Sequence, residues 1–128
     1  MPTTEIHDRT YMQSRIREEL ARAQRHNRTF GLAVFEVVPS SDGMPIRKKM
    51  ELGIAILCQS VRSCDAVAKM FDDTIVALLV ETDLRGMRDA MQRVRSRIAT
   101  YGGSWQVTIY HFPEHAEAIE GLPLLSAA

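Results

Sequence analysis

The chain has 128 residues, 45% of them hydrophobic and 25% charged, with sixteen basic and sixteen acidic residues and a formal net charge of zero. That is enough chain and enough apolar material for one ordinary folded unit with its own core. The balanced charge excludes a general attraction to nucleic acid polymers or anionic membranes, so any anion site must be local. No apolar run approaches the roughly 20 residues of a membrane span. The start, Met1-Pro2-Thr3-Thr4-Glu5, has neither the basic nor the apolar segment of a secretion signal. Cys58 and Cys64 have no cluster of metal-ligating residues beside them, which fits reduced thiols in a cytoplasmic setting.

In chain order, residues 8–27 predict a helix, with Met12, Ile16, Leu20 and Ala23 recurring at helical spacing, Asp8 as N-cap and Asn27 as stop. Phe30 to Val38 is a dense apolar run rich in β-branched residues and predicts a buried strand. Pro39-Ser40-Ser41-Asp42-Gly43 has loop chemistry. Ile46 to Val61 predicts a second helix with Met50, Ile54, Leu57 and Val61 on one face. Residues 66–70 and 75–80 predict two strands joined at Asp72-Asp73 as a hairpin. Asp83 then caps a third helix, whose Leu84, Met87, Met91, Val94 and Ile98 form an apolar stripe ending at Gly102-Gly103. Trp105 to Phe112 predicts a last strand, stopped by Pro113. Residues 114–128 form a tail after a domain of residues 1–113, either a short helix or disordered. A helix followed by β-α-β-β-α-β predicts an α/β (α+β) fold of the ferredoxin-like or palm type, a sheet of about four to five strands with helices packed on it. That fold hosts many functions and names none of them.

The residues that narrow the choice are Arg62-Ser63-Cys64-Asp65, then a five-residue strand, then Phe71-Asp72-Asp73-Thr74-Ile75. With Glu19-Leu20-Ala21-Arg22-Ala23-Gln24-Arg25-His26 ending the first helix, Val76 to Asp83 after the hairpin, and Val107-Thr108-Ile109 late in the chain, these blocks resemble the bacterial diguanylate cyclase (GGDEF) domain over about residues 8–113. The resemblance implies a substrate site that has been lost. Active members join two GTP molecules into cyclic di-GMP with two carboxylate-held metal ions and a Gly-Gly turn that lets backbone approach the triphosphate. Here Phe71 and Asp72 stand at the two glycines, Asp73 keeps the third signature position, and Thr74 replaces the next carboxylate. Glu36 stands at the first metal-binding Asp and Val38 at the Asp two residues later. The guanine-recognition stretch is shorter, with Arg47 near a guanine-reading Asp. No catalytic residue and no metal site is therefore expected, and the chain is not expected to be an enzyme.

The family's inhibitory site fares differently. Its Arg-x-x-Asp motif is matched by Arg62 and Asp65 at the right distance from the signature, and a count without gaps places Arg93 at the helical Arg that assists it. The resemblance implies that Arg62, Asp65 and Arg93 bind cyclic di-GMP; the arginines around Arg93 read first as a solvated basic face, with Arg88 or Arg97 as candidates for one additional phosphate contact. The chemistry fits: a carboxylate accepts from the N1–H and N2–H₂ edge of guanine, and a guanidinium donates to O6 and N7 or to phosphate. The expected protein is a non-catalytic cyclic di-GMP receptor that relays its state to an effector protein or across a ligand-bridged homodimer. The alternatives are a ligand-independent interaction or dimerisation module with the same fold and, less favoured, a weak cyclase. The bland reading of Arg62 and Asp65 is a local ion pair at a helix end. That of Asp72 and Asp73 is turn chemistry. His7, His26, His111 and His115 are scattered, Cys64 reads as a small packed residue, and Trp105 as a strand residue.

Overall fold

The computed structural model describes residues 5–39, 43–101 and 104–125. In chain order the elements are β1 (Ile6–His7), α1 (Arg9–His26), β2 (Phe30–Val38), α2 (Ile46–Ser60), β3 (Ala66–Phe71), β4 (Thr74–Val80), α3 (Leu84–Tyr101), β5 (Ser104–Phe112) and α4 (Ala116–Glu120), with a 3-10 turn at Pro123–Leu125. One five-stranded sheet has the order β1-β3-β4-β2-β5. β1 runs parallel to β3, and the β3–β4, β4–β2 and β2–β5 pairs are antiparallel. The α/β sheet with packed helices is thus the one its periodicities imply. β1 is absent from the sequence expectation because two residues are too few to show an alternation.

The continuous apolar runs of the central strands have a physical cause: both sheet faces are covered. Along β2, Phe30, Leu32 and Val34 enter the core under α1, while Ala33, Phe35 and Val37 enter the core under α2 and α3. Successive side chains point to opposite faces, so the two cores share a backbone but no side chain. Met87, Met91, Val94 and Ile98 of α3 are all buried. Trp105 lies over Gly53 of α2, where a Cβ would come within 2.8 Å of the indole, and meets Phe35 edge-on at 6.3 Å. It is a packing residue that only a glycine opposite can accommodate.

One detail departs from the sequence expectation and a second extends it. In α1 the buried residues are Met12, Ile16, Glu19 and Ala23, with Leu20 only partly buried; an acid occupies a place that periodicity assigned to a leucine. The segment after Pro113 folds back so that Ile119, Leu122, Leu124 and Leu125 complete the core under α1. Gln13 donates to the Leu124 carbonyl at 2.8 Å, Arg17 donates to the Leu125 carbonyl, and Gln24 donates to Glu120 at 3.0 Å. Burying such aliphatic side chains contributes up to about 1.5–3 kcal/mol each. The N-terminus of α1 is capped by Asp8, whose Oδ1 accepts from Tyr11 N at 2.8 Å, and Asn27 ends the helix in the left-handed region at φ 55°.

Candidate functional site

The Arg62–Asp65 segment is the turn between α2 and β3. The Val61 N–H closes the last turn of α2 on the Leu57 carbonyl at 3.2 Å, and the Asp65 N–H returns to the Arg62 carbonyl at 3.0 Å. The Asp65 carboxylate sits at the centre. Its Oδ2 accepts from the Arg62 backbone N–H at 2.9 Å and from Arg62 Nε at 3.2 Å. Its Oδ1 accepts from Arg62 Nη2 at 3.2 Å and from the Val80 N–H at 3.1 Å. The Asp65 side chain is only 1% exposed, against 54% for Arg62. A buried carboxylate needs this saturation, because any unfilled lone pair would carry its desolvation cost.

Arg62 is in turn fixed from β4. Its Nη2 donates to the Val80 carbonyl and to Thr82 Oγ1, the latter at 3.0 Å, and the Thr82 hydroxyl donates to the Val80 carbonyl at 2.8 Å. The hydrogen bond to Asp65 holds the Arg62 guanidinium above its ordinary pKa, helped by the charges of Asp65, Cys64 and Glu81 and opposed by partial burial. Thr82 is itself anchored. His111, 1% exposed on β5, faces the Thr82 carbonyl with Nε2 at 2.5 Å and the Glu114 carboxylate with Nδ1. Since a carbonyl only accepts, Nε2 carries the proton at that contact.

Arg62, Asp65 and Arg93 line one cleft of ≈ 340 Å³ between the Arg62 turn, the exit of β4 and α3, together with Thr82 and Asp83. That volume lies within the roughly 300–1,000 Å³ usual for small-molecule sites. Arg93 is exposed, and among the described residues no hydrogen bond or ion pair engages it. The other two arginines stand apart. Arg97 donates to Ser60 Oγ at 2.8 Å and to Gln59 Oε1 at 3.3 Å, tying α3 to the end of α2. Arg88 is exposed and, like Arg97, is not among the described residues lining the cleft. Sequence reasoning missed Thr82 and His111 as supports of Arg62. Thr82 was visible only inside the Val76 to Asp83 block, and the His111 contact joins residues 29 apart in sequence.

At the opposite end of β3, the Phe71–Thr74 hairpin is open. Phe71 is 39% exposed, and the Arg9 guanidinium lies 5.4 Å from its ring centre. The Asp72 side chain is fully exposed and reaches Lys69 only at 3.8 Å. Thr74 Oγ1 donates to Asp73 Oδ1 at 2.9 Å, and the exposed Glu36 pairs across the strands with Thr74. Arg47, also exposed, bonds Glu51 at 3.3 Å one helical turn on. Cys58 is buried, which pushes its thiol up, whereas Cys64 is exposed in the Arg62 turn. No helix among the described residues is long and apolar enough to cross a membrane.

No family model and no curated protein matches the chain. Solved structures do. A DGC protein from Thermotoga maritima superposes with a TM-score of 0.77 at 19% identity, over 88% of this chain and 86% of that one. The FimX GGDEF domain from Pseudomonas aeruginosa gives 0.72 at 12% identity, over 94% and 88%. The GGDEF domain of DgcB from Caulobacter crescentus, solved in complex with c-di-GMP, gives 0.67 at 10% identity, over 87% and 72%. At such low identity these likenesses speak for the backbone alone, and what they establish is that this chain has the fold of a GGDEF domain.

Proposed function

We propose that the chain is a non-catalytic receptor for cyclic di-GMP, which it binds in the Arg62–Arg93 cleft, and that it relays occupancy to a protein partner. The observation that supports this most is the fixed presentation of Arg62. Asp65, Val80 and Thr82 hold its guanidinium at the mouth of a cleft that Arg93 enters from α3. A guanidinium locked in place loses little entropy on binding, and two of them suit a ligand with two phosphates and two guanines. Asp65 serves as the positioning residue for Arg62, because its oxygens already accept four N–H bonds. A c-di-GMP complex of a domain with this fold is a precedent for the ligand class. Phe71 and Asp72 in the hairpin, with Glu36, Val38 and Thr74 beside it, support the absence of cyclase chemistry.

Calorimetry with cyclic di-GMP and with GTP tests both halves. Saturable binding of cyclic di-GMP that is lost in Arg93→Ala is the expected result. No heat with cyclic di-GMP at high micromolar concentration sinks the receptor reading and favours the interaction module, for which the exposed Ile6, Val38, Ile46 and Phe71 offer apolar surface. Cyclic di-GMP formed from GTP and magnesium overturns the non-catalytic assignment.

A further inference from the structure

The two edges of the sheet are finished differently. One edge is β1, only two residues long, and so short an edge offers little to pair with. The other is β5, nine residues whose register against β2 runs from Phe112 to Ser104 without a shift. β5 contains no Asp, Glu, Lys, Arg, Pro or Gly, and with no bulge it lacks the usual devices that keep an edge from pairing. Its own hydrogen bonds tell which backbone groups face outward. In an antiparallel ladder the N–H and C=O of one residue point to the same side, and the sides alternate along the strand. The His111 N–H donates to His115 Nδ1 at 2.9 Å, and the His111 carbonyl accepts from the His115 N–H at 2.6 Å, so His111 faces away from β2. Val107 is in the same phase, and its carbonyl accepts from Arg95 Nη2 at 3.0 Å. Trp105, Val107 and Ile109 therefore present their backbone groups outward. His111 is closed off by the chain's own turn, but among the described residues the Val107 N–H and both groups of Trp105 and Ile109 have no hydrogen-bond partner. Beside them, between α3 and β5, lies a cleft of ≈ 450 Å³ lined by Arg95, Ile98, Ala99, Trp105, Gln106 and Val107.

We infer that β5 is a dimerisation edge, to which a second copy of this chain adds its own β5, antiparallel, across a two-fold axis at Val107. Symmetry and charge select this occupant. The outward residues are centred on Val107, so an axis there sets Trp105 opposite Ile109 of the second copy and Val107 opposite its own counterpart. Each such pair exchanges two N–H···O bonds, and the Val107 carbonyl, already bonded to Arg95, keeps a second lone pair. Like charges directly opposite one another would oppose the pairing. A strand with no acidic or basic side chain is compatible with itself, and the chain's zero net charge adds no long-range repulsion. Residues opposite one another project to the same face of a sheet. Trp105, Val107 and Ile109 pack against the core under α2 and α3, so the same side chains of the second copy arrive at the cleft beside α3. The five strands of each copy become one continuous sheet, and the long open edge of both is consumed. This surface shares no lining residue with the Arg62–Arg93 cleft and does not depend on the receptor reading.

The test is sedimentation equilibrium of the full chain without nucleotide, from low to high micromolar concentration. It is read beside the emission of Trp105, the only tryptophan, and beside amide hydrogen exchange. The expected result is a reversible monomer–dimer equilibrium. As the dimer fills, Trp105 emission shifts and the Val107 and Ile109 amides exchange at least tenfold more slowly. Two double variants fix the register, because an axis at Val107 sets Gln106 opposite Thr108 of the second copy. Gln106→Lys with Thr108→Lys opposes like charges twice and should weaken dimerisation at least tenfold. Gln106→Lys with Thr108→Glu opposes unlike charges and should restore it. Melting curves verify that both variants are folded; if either is not, hydrogen exchange of the wild type decides, and Val107 and Ile109 protection that does not change with concentration overturns the inference. A chain that stays monomeric at high micromolar concentration overturns it as well. A dimer indifferent to both charge variants, or one that forms only with cyclic di-GMP and is lost in Arg93→Ala, puts the interface elsewhere and also overturns it.

Discussion

The two ends of strand β3 have been built in opposite ways. At its start, the Asp65 carboxylate is buried and all its contacts are internal, so the turn is fixed from α2, from β4 and through Thr82 from β5. At its end, Asp72 projects into solvent, Phe71 is partly exposed, and the side-chain polar contacts of Asp72 and Asp73, with Lys69 and Thr74, are local. A loop that must present a charged group in one orientation needs many fixed partners, whereas a hairpin that only reverses the chain needs almost none. The density of internal bonding makes the start of β3 the more rigid end, independently of any motif.

The sharpest way to break that contrast is Asp65→Ala. It strands the Arg62 and Val80 N–H groups and should lower unfolding stability by about 3 kcal/mol, the low end for breaking a buried pair because Arg62 is half-exposed; urea denaturation reads this directly. For that reason Asp65→Ala is a poor test of binding, since a lost signal would follow from a lost turn. Arg93→Ala separates the two effects: cyclic di-GMP affinity should fall by the equivalent of about 1.5–3 kcal/mol for a charged contact, with stability unchanged on thermal melting. Thr82→Val removes one acceptor of the Arg62 guanidinium and should cost about 1 kcal/mol in the same unfolding assay. At the hairpin end, Asp72→Gly should move stability by no more than about 0.5 kcal/mol, as for other exposed sites. An effect there as large as that of Asp65→Ala would erase the distinction.

A smaller effect concerns pH. The Glu114 carboxyl is held below its ordinary range, mainly by its hydrogen bond with His111. A carboxyl lowered in the folded state contributes stability above its unfolded pKa and loses it as pH falls through the lowered folded value. Melting temperatures of wild type and Glu114→Gln should therefore differ slightly at neutral pH and converge in acid. Because Glu114 is a surface group, the gap is expected to be small; curves that stay parallel down to low pH would show that the contact carries no linkage.

Much of the fold was legible because each main element carries a strong local signal. The nine apolar residues of β2, the Asp8 and Asn27 ends of α1 and the Met87–Ile98 stripe of α3 need no tertiary information. The site was legible only in part. Arg62 and Arg93 could be placed through a resemblance, but the direction of Asp65 could not, because a tetrapeptide does not say whether its acid turns outward to a base or inward to the Val80 N–H. Glu19 was hidden by its own helix: Leu20 fits the same stripe, and only the packed structure shows that the acid is the more buried of the two. The cleft that Arg62, Asp65 and Arg93 line is assembled from the Arg62 turn, the β4 exit and α3, and no local pattern announces such a meeting.

The contact between His111 and Thr82 has a mechanical consequence. Glu114 begins the segment that docks under α1, His111 holds Glu114 at one ring nitrogen and the Thr82 carbonyl at the other, and the Thr82 hydroxyl receives Arg62. The C-terminal segment and the Arg62 guanidinium are therefore links of one short chain of hydrogen bonds. A displacement of the segment after Pro113 would therefore reach the Arg62 guanidinium through two side chains, without any change in the strands between them.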